Sequence, residues 1–463
     1  MKIENDLGKD NIHSLVWRIA IPSMLAQFVS VLYSIVDRMY IGNIPEIGDM
    51  ALAGVGICGP VVTMVGSIAS LVGVGGAPLV GISMGEGNLR YAKKILSNCF
   101  LLIWVFSALI MATVLPLRGV ILPAFGASET TYPYAEQYFF IYLLGTPFAL
   151  MATGLNQFVI CQGYAKAGMK SVVLGAVTNI ILDPIFIFGL NMGVRGGALA
   201  TVISQCASCA YVLGMLCGKK LPVHLQFGGY SLRIIRQVLT FGFSPFIIIA
   251  MDNVMIIAMN AMLQRFGGPG QGDMLVTCAT IAQSFMLIVT MPLSGISGGT
   301  QGLLSFNYGA CQSDRVRSAC KFITKLCMGY TAVLFVLSWL AGPLFVRLFT
   351  QSPDLAAEAV RAIRICTLFI IPLGAQYEFV DALTAMGQVR LSLPLSFGRK
   401  LIYFVALFAL PVAFGARAIF YAEPISDLLM PIISFLVFRR NLGPILYRRE
   451  HMADASSSAD TAQ

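Results

Sequence analysis

The feature that most constrains this chain is a succession of apolar runs, each about as long as a membrane is thick. A transmembrane helix needs roughly 20 predominantly apolar residues. By that measure the sequence predicts twelve spans, at residues 15–41, 51–80, 93–116, 133–161, 169–190, 196–217, 238–263, 274–304, 318–341, 358–386, 390–413 and 416–438. The last span is the least regular, because Glu423-Pro424 and Asp427 interrupt its apolar pattern.

Composition supports an integral membrane protein. The 463 residues are 57% hydrophobic and 11% charged, against about 25% charged residues in an ordinary soluble domain. The mean hydropathy of +0.79 also excludes a water-soluble globule. The net charge of +9 is spread over short basic clusters between the apolar runs, so we expect the lipid bilayer and small molecules as partners, and no nucleic acid.

The basic clusters also predict an orientation. Most Lys and Arg residues fall in the even-numbered loops and the two tails, and cytoplasmic loops carry such an excess. We therefore expect a multi-pass membrane protein with both termini cytoplasmic. The polar residues 1–11 do not read as a cleavable signal peptide.

The two halves of the chain repeat. Residues 85–94 and 309–318 are basic loops that follow the second and eighth spans, and Pro22 and Pro147 match Pro245 and Pro372 at nearly the same offset. This self-similarity predicts an all-α fold of two six-helix bundles related by a pseudo-two-fold axis along the membrane normal. The predicted parts are an N-terminal lobe (1–217), a cytoplasmic linker (218–237), a C-terminal lobe (238–440) and a cytoplasmic tail (441–463).

Several sequence patterns carry no chemistry. Gly54-x-Gly56-x-x-Gly59 lies in an apolar span with no strand before it, so it indicates close helix packing rather than a dinucleotide site. Cys206 and Cys209 lie within a span without a second pair and read as packing residues. The sequence has no phosphate-binding loop and no nucleophile–base pattern, so we expect neither ATP hydrolysis nor another enzymatic activity.

Polar residues inside the spans are the candidates for function, since an intramembrane carboxylate is costly and usually marks an ion pathway. In the N-terminal half they form three pairs spaced i, i+4, each on one helix face: Tyr33 and Asp37, Asn179 and Asp183, Thr201 and Gln205. Asp37, Asp183 and Thr201 would share a depth near the outer ends of their helices. Two close carboxylates cannot both stay ionised cheaply, so the set predicts a site for a proton or Na⁺.

Structural alternatives stay open for each of these residues. Asp37-Arg38 could extend to the membrane interface, Asp183 could only open its helix before Pro184, and Thr201 could bond to its own helix. In the C-terminal half, Asp252, Glu378 and Asp381 could bind a cation or a cationic substrate. The alternative for Glu378 and Asp381 is an ion pair with Arg364 or Arg399.

Three stretches resemble the multidrug and toxic compound extrusion (MATE) family: IPSMLAQFVSVLYSIVDRMYIG, NIILDPIFIFGL and GVRGGALATVISQ. The resemblance covers essentially the whole chain and is closest to the prokaryotic branch with a cation site in the N-terminal lobe. It implies twelve helices in two lobes and drug efflux driven by H⁺ or Na⁺.

The resemblance also implies residue roles. Asp37, Asn179, Asp183 and Thr201 would bind the coupling cation, H⁺ or Na⁺. Tyr33, Tyr138 and Asn156 would support that site, and helix one would bend at Pro22. The C-terminal lobe departs from the family pattern at two places. Asp252 stands where relatives often have Glu. Glu378 and Asp381 do not align cleanly with the tenth-span acid of the family branch that relies on acids of the C-terminal lobe.

Together, the polar residues and the resemblance predict a monomeric secondary antiporter of the bacterial inner membrane. It would have no cofactor beyond the coupling ion and would export amphipathic and often cationic organic compounds. Two other functions stay open. A flippase for lipid-linked precursors shares the superfamily plan, and a channel or receptor would differ from a pump by never concentrating its substrate.

Overall fold

The fold is known from a computed structural model that describes residues 5–125, 127, 129–268, 271–350 and 352–460. Within these residues the chain forms α-helices, one π-helix and one 3₁₀-helix, and no β-strand. This confirms the predicted all-α fold class. The chain divides into two compact units: unit 1 comprises Met1–Asp6 and Ile21–Ala250, and unit 2 comprises Leu7–Ala20 and Met251–Gln463. The lobe and linker boundaries read from the sequence stay predictions.

The helices of the first half begin with α1, which runs from Ile12 to Gly42. They continue as α2 (Gly48–Gly85), α3 (Leu89–Val114), α4 (Arg118–Ala124), α5 (Tyr132–Leu144), α6 (Thr146–Gly154), α7 (Asn156–Cys161), α8 (Ala165–Pro184), the π-helix (Ile185–Gly189) and α9 (Val194–Cys217).

The helices of the second half begin with α10, which runs from Leu232 to Gly267. They continue as α11 (Gln271–Gly309), α12 (Ser313–Leu340), α13 (Gly342–Arg347), α14 (Pro353–Cys366), α15 (Ile370–Ala385), α16 (Val389–Phe414), the 3₁₀-helix (Ala416–Tyr421) and α17 (Ala422–Asp460).

Ten helices among the described residues are long and apolar enough to cross a membrane, and a bent pair gives an eleventh span. This pair, α5 with α6 and α7, bends by 59°. The remaining predicted span, 358–386, is divided between α14 and α15, neither of which is long enough alone. Pro147 and Pro372 lie in the first turns of α6 and α15. A proline is tolerated there and disfavours a continuous helix, so each of the two breaks coincides with a proline.

The acidic start of the last span is part of its helix. Glu423 and Pro424 lie in the first turn of α17, and Asp427 follows one turn later. The first backbone N–H groups of a helix have no intrahelical partner, so proline costs little there. An acid is also favourable near the positive end of the helix dipole. These residues therefore begin the last helix instead of interrupting it.

Glycines allow close helix packing in unit 1. A Cβ atom built on Gly242 of α10 would lie 1.7 Å from the carbonyl oxygen of Leu71 in α2. Gly54 packs closely against α5, because a Cβ built on it would lie 3.0 Å from the backbone nitrogen of Ala135. A Cβ built on Gly56 or on Gly59 would have no heavy atom within 4 Å. Of the three glycines in the sequence pattern, Gly54 alone packs closely against another helix.

Candidate functional site

Two acids from different helices meet in unit 1. The carboxyl group of Asp37 in α1 lies within hydrogen-bonding reach of the carboxyl group of Asp183 in α8. Asp183 is fully buried and Asp37 is partly buried, whereas the neighbouring Arg38 is exposed. The side chain of Asp37 therefore faces α8.

Asn179 and Thr201 join these acids. The Nδ2 atom of Asn179 lies 3.3 Å from Oδ1 of Asp183 and 3.5 Å from Oγ1 of Thr201. The hydroxyl of Thr201 also donates to the carbonyl of Gly197, one turn back in α9, at 3.0 Å. The bond to its own helix and the contact with Asn179 therefore occur together. The structure brings all four predicted cation-site residues into one cluster on α1, α8 and α9.

The cluster has more acceptors than donors. Oδ1 of Asp37, Oδ1 of Asn179 and Oδ2 of Asp183 are buried and accept no hydrogen bond from the described residues. Leaving a buried acceptor unsatisfied costs about 1–3 kcal/mol, more for a charged group. Carboxylate and carbonyl oxygens are the ligands of hard cations. The unsatisfied oxygens therefore fit a proton or a small cation such as Na⁺.

Local sequence explains why α8 and α9 present this cluster. Pro184 ends α8, and the π-helix Ile185–Gly189 follows, as often happens near functional sites. Gly193 then has a φ of +54°, a conformation that favours glycine. A Cβ on Gly196 would lie 2.7 Å from the backbone of Phe186, so the start of α9 approaches the π-helix closely. This approach places Thr201 beside Asn179.

Tyrosines extend the cluster along α5. Tyr138 lies beside Thr201, and Tyr142 lies beside Gln205. The two rings stack at 6.2 Å between centroids, and Tyr33 lies close enough to interact electrostatically with both. Sequence reasoning assigned no role to Tyr142. The signal was available, because Tyr142 follows Tyr138 at the i, i+4 spacing that identified the other pairs.

Two predicted supporting residues lie outside these contacts. Asn156 is buried at the start of α7 and donates to the carbonyl of Gly168 in α8 at 3.3 Å. Gly168 is eleven residues before Asn179, or about 16 Å along an α-helix. Pro22 lies within α1, which continues through it from Ile12 to Gly42.

The acids of α15 lie in unit 2, and neither forms an ion pair with a basic residue in the described part of the chain. Glu378 is fully buried, and neither of its carboxylate oxygens accepts a hydrogen bond from the described residues. Asp381 lies within reach of Ser297 and Gln301 of α11. The sequence offered Arg364 and Arg399 as basic partners for these two acids. In the structure Arg364 stacks over the ring of Trp339, and Arg399 pairs with acids of α17.

Asp252, the third C-terminal candidate, has a basic partner. Its carboxylate forms an ion pair with the ammonium group of Lys400 in α16. Sequence reasoning missed Lys400, because residues so far apart in the chain give no local signal of their contact.

Comparison with known proteins gives one family. The sequence profile of the MatE family matches this chain twice, at residues 22–185 and 247–409. The multidrug export protein MepA of Staphylococcus haemolyticus is 22% identical over 93% of this chain and 94% of its own length. A protein of Shewanella oneidensis named FAD transporter is 26% identical over 96% of this chain and 98% of its own length.

Solved structures share the fold. A multidrug resistance MATE family transporter of the MOP superfamily, solved in an outward-facing conformation, aligns with a TM-score of 0.88 at 21% identity over 95% of this chain and 98% of its own. A MOP superfamily transporter from Pyrococcus furiosus aligns with the same TM-score at 22% identity and the same coverage. Such transporters are membrane proteins of twelve helices, which confirms the predicted architecture.

Proposed function

Since this chain belongs to the MATE family of membrane transporters, we propose that it is a secondary antiporter that exports amphipathic organic compounds in exchange for H⁺ or Na⁺. The family consists of transporters, which confirms the expectation that the chain is not an enzyme. Relatives named for multidrug export, such as MepA, support the substrate class. The wide coverage of both chains supports carrying the whole activity over.

The observation that supports ion coupling is the cluster of Asp37, Asn179, Asp183 and Thr201, with its unsatisfied buried oxygens. A proton or Na⁺ bound there neutralises one of the two negative charges that the acids can carry. Binding biases the transport cycle only if one conformation binds the cation more tightly than the other. In the proposed cycle, neutralising Asp37 removes the contacts that depend on its charge, and α1 then bends at Pro22 and reduces the space for the drug.

The test is efflux from proteoliposomes that contain the purified protein, with proton and Na⁺ gradients imposed separately. We expect one gradient to drive accumulation of an amphipathic cation such as ethidium against its own gradient. Equilibration without accumulation would indicate a channel. Movement of a lipid-linked precursor without movement of soluble dyes would indicate a flippase.

Localisation and assembly are part of the same proposal. The chain is a multi-pass membrane protein, and we propose that it acts as a monomer in the bacterial inner membrane with both termini cytoplasmic. Fluorescent and periplasmic-enzyme fusions at each terminus test the orientation. Activity of the periplasmic enzyme at either end contradicts it.

A second candidate substrate is an acidic dinucleotide. The relative named FAD transporter aligns over nearly the whole chain. The same proteoliposomes test this candidate with FAD in place of ethidium, and ion-driven FAD movement without dye movement would favour it.

A further inference from the structure

Two neighbouring basic residues of α16 have no role in the proposed coupling site. Arg399 and Lys400 lie in a membrane-spanning helix of unit 2, and each pairs with acids of a different helix. Arg399 lies 3.2 Å from Asp427 and 4.0 Å from Glu423, both in α17. Lys400 pairs with Asp252 of α10.

The two pairs differ in how their charges are buried. The side chains of Arg399 and Asp427 are 14% and 0% exposed, so both charges depend on their pairing. The side chain of Lys400 is 6% exposed, but that of Asp252 is 47% exposed. An exposed acid within a span faces the protein interior or a water-filled cavity rather than lipid. Asp252 therefore stays solvated when it is unpaired, whereas Lys400 would become an uncompensated buried charge.

This asymmetry restricts which ligand can enter at Asp252. A plain cation that binds Asp252 competes with the one ion pair found for Lys400 among the described residues. An acidic group, in contrast, can take the place of Asp252 on Lys400. A positive group of the same molecule can then meet the released Asp252, so that every charge keeps a partner.

The neighbouring charges disfavour a purely anionic ligand. Arg399, Glu423 and Asp427 together carry one net negative charge if both acids are ionised, and Arg399 contacts both of these acids. A ligand with an acidic group alone would add a further negative charge to this surplus and to the released Asp252. A molecule that carries both charges adds no net charge, and its positive group offsets the released Asp252.

We propose that Lys400 and Asp252 form an exchangeable ion pair that binds zwitterionic amphipathic substrates, with the acidic group on Lys400 and the positive group on Asp252. This inference rests on the proposed export function and narrows its substrate class. Arg399 is the fixed neighbour in this arrangement, because Glu423 and Asp427 both hold it.

The test uses two dyes that differ by one methyl ester. Rhodamine 110 has a free carboxylate and is a zwitterion at neutral pH, whereas rhodamine 123 is its methyl ester and a plain cation. Binding is measured by fluorescence polarisation with the purified full chain in lipid nanodiscs. We expect wild-type protein to bind rhodamine 110 about tenfold more tightly than rhodamine 123, in line with the effect of pairing a buried charge.

Three variants assign that preference to the pair. Lys400→Met should weaken rhodamine 110 binding about tenfold or more and leave rhodamine 123 binding unchanged or tighter, because Asp252 becomes available. Lys400→Arg should keep the preference. Lys325→Met, the same change at an exposed lysine of α12, should behave as wild type.

An affinity ratio that is the same in Lys400→Met and wild type overturns the proposal. If Lys400→Met does not fold, the uncharged pair Asp252→Asn with Lys400→Gln serves in its place and should bind both dyes without preference. If Lys400→Met and wild-type protein both export the two dyes and bind them with the same affinity ratio, the zwitterion site is disproved and the proposed export function stands. Wild-type protein that neither binds nor exports either dye removes this inference and the proposed function together.

Discussion

The side-chain amide nitrogen of Asn179 lies 3.3 Å from Oδ1 of Asp183, which follows it by one turn in α8. The same nitrogen is 3.5 Å from the hydroxyl of Thr201 in α9. One donor group thus orients an acid and a hydroxyl from two helices. The oxygen atoms that it does not satisfy are the ones left to bind an ion.

Replacing Asp37 by asparagine should strongly reduce ion-driven efflux. Asparagine has nearly the same shape but carries no exchangeable negative charge, so ion binding can no longer change the charge of α1. We expect transport in proteoliposomes to fall by about 10–100-fold, the loss typical of disturbing an ion site. The control is Asp314→Asn, the same change at an exposed position of α12. Full ion-driven efflux by Asp37→Asn would falsify the proposed coupling role.

Removing the hydroxyl of Thr201 should weaken ion binding without abolishing transport. Thr201→Val keeps the side-chain shape but leaves Asn179 with one acceptor fewer. We expect the ion concentration for half-maximal efflux to rise by about threefold to tenfold, since one hydrogen bond contributes about 1 kcal/mol. Thr178→Val is the matched control, because that hydroxyl donates to Leu174 in its own helix. Equal ion dependence of the two variants contradicts a role for Thr201.

A methyl group at Gly242 should destabilise the protein. The added Cβ would lie 1.7 Å from the carbonyl oxygen of Leu71, so α2 and α10 must separate. Overpacking of this kind costs about 1–3 kcal/mol. A thiol-reactive dye can follow thermal unfolding, because the chain has buried free cysteines. Gly56→Ala is the control with space for a methyl group, and it should melt at or above the wild-type temperature.

Breaking the pair of Arg399 should destabilise the protein more than breaking the pair of Lys400. Arg399→Met leaves the fully buried Asp427 without its cation, and such losses cost about 3–5 kcal/mol. Lys400→Met leaves Asp252, which is half exposed. The melting temperature in detergent should therefore fall clearly in the first variant and little in the second. A larger fall for Lys400→Met than for Arg399→Met would mean that side-chain exposure does not determine how much each ion pair contributes to stability.

The sequence predicts the fold well because the bilayer restricts the solutions. A span must satisfy its backbone groups internally, so a long apolar run can hardly be anything but a helix. Polar residues are rare in such runs, and the i, i+4 spacing then identified Tyr33 with Asp37 and Asn179 with Asp183. The same scarcity explains why the predicted cation residues could be named before their contacts were known.

Contacts between distant helices could not be predicted. Lys400 and Asp252 are 148 residues apart, and no local pattern specifies how α10 and α16 are aligned. The sequence suggested Arg399 as a partner for Glu378 or Asp381, but in the structure it pairs with Asp427 and Glu423. The break between α14 and α15 was also missed, because a proline within a span does not by itself mark a break: Pro22 and Pro245 lie inside continuous helices.

The ion pairs of α16 also bear on how the chain enters the membrane during synthesis. A lysine or arginine at the centre of a span costs about 2.5–3.5 kcal/mol during insertion, and α16 carries one of each in succession. The acid for Lys400 is already in the membrane when α16 emerges from the ribosome, but the acids for Arg399 are still to be made. The helix hairpin of α16 and α17 is therefore expected to insert as one piece against a finished α10.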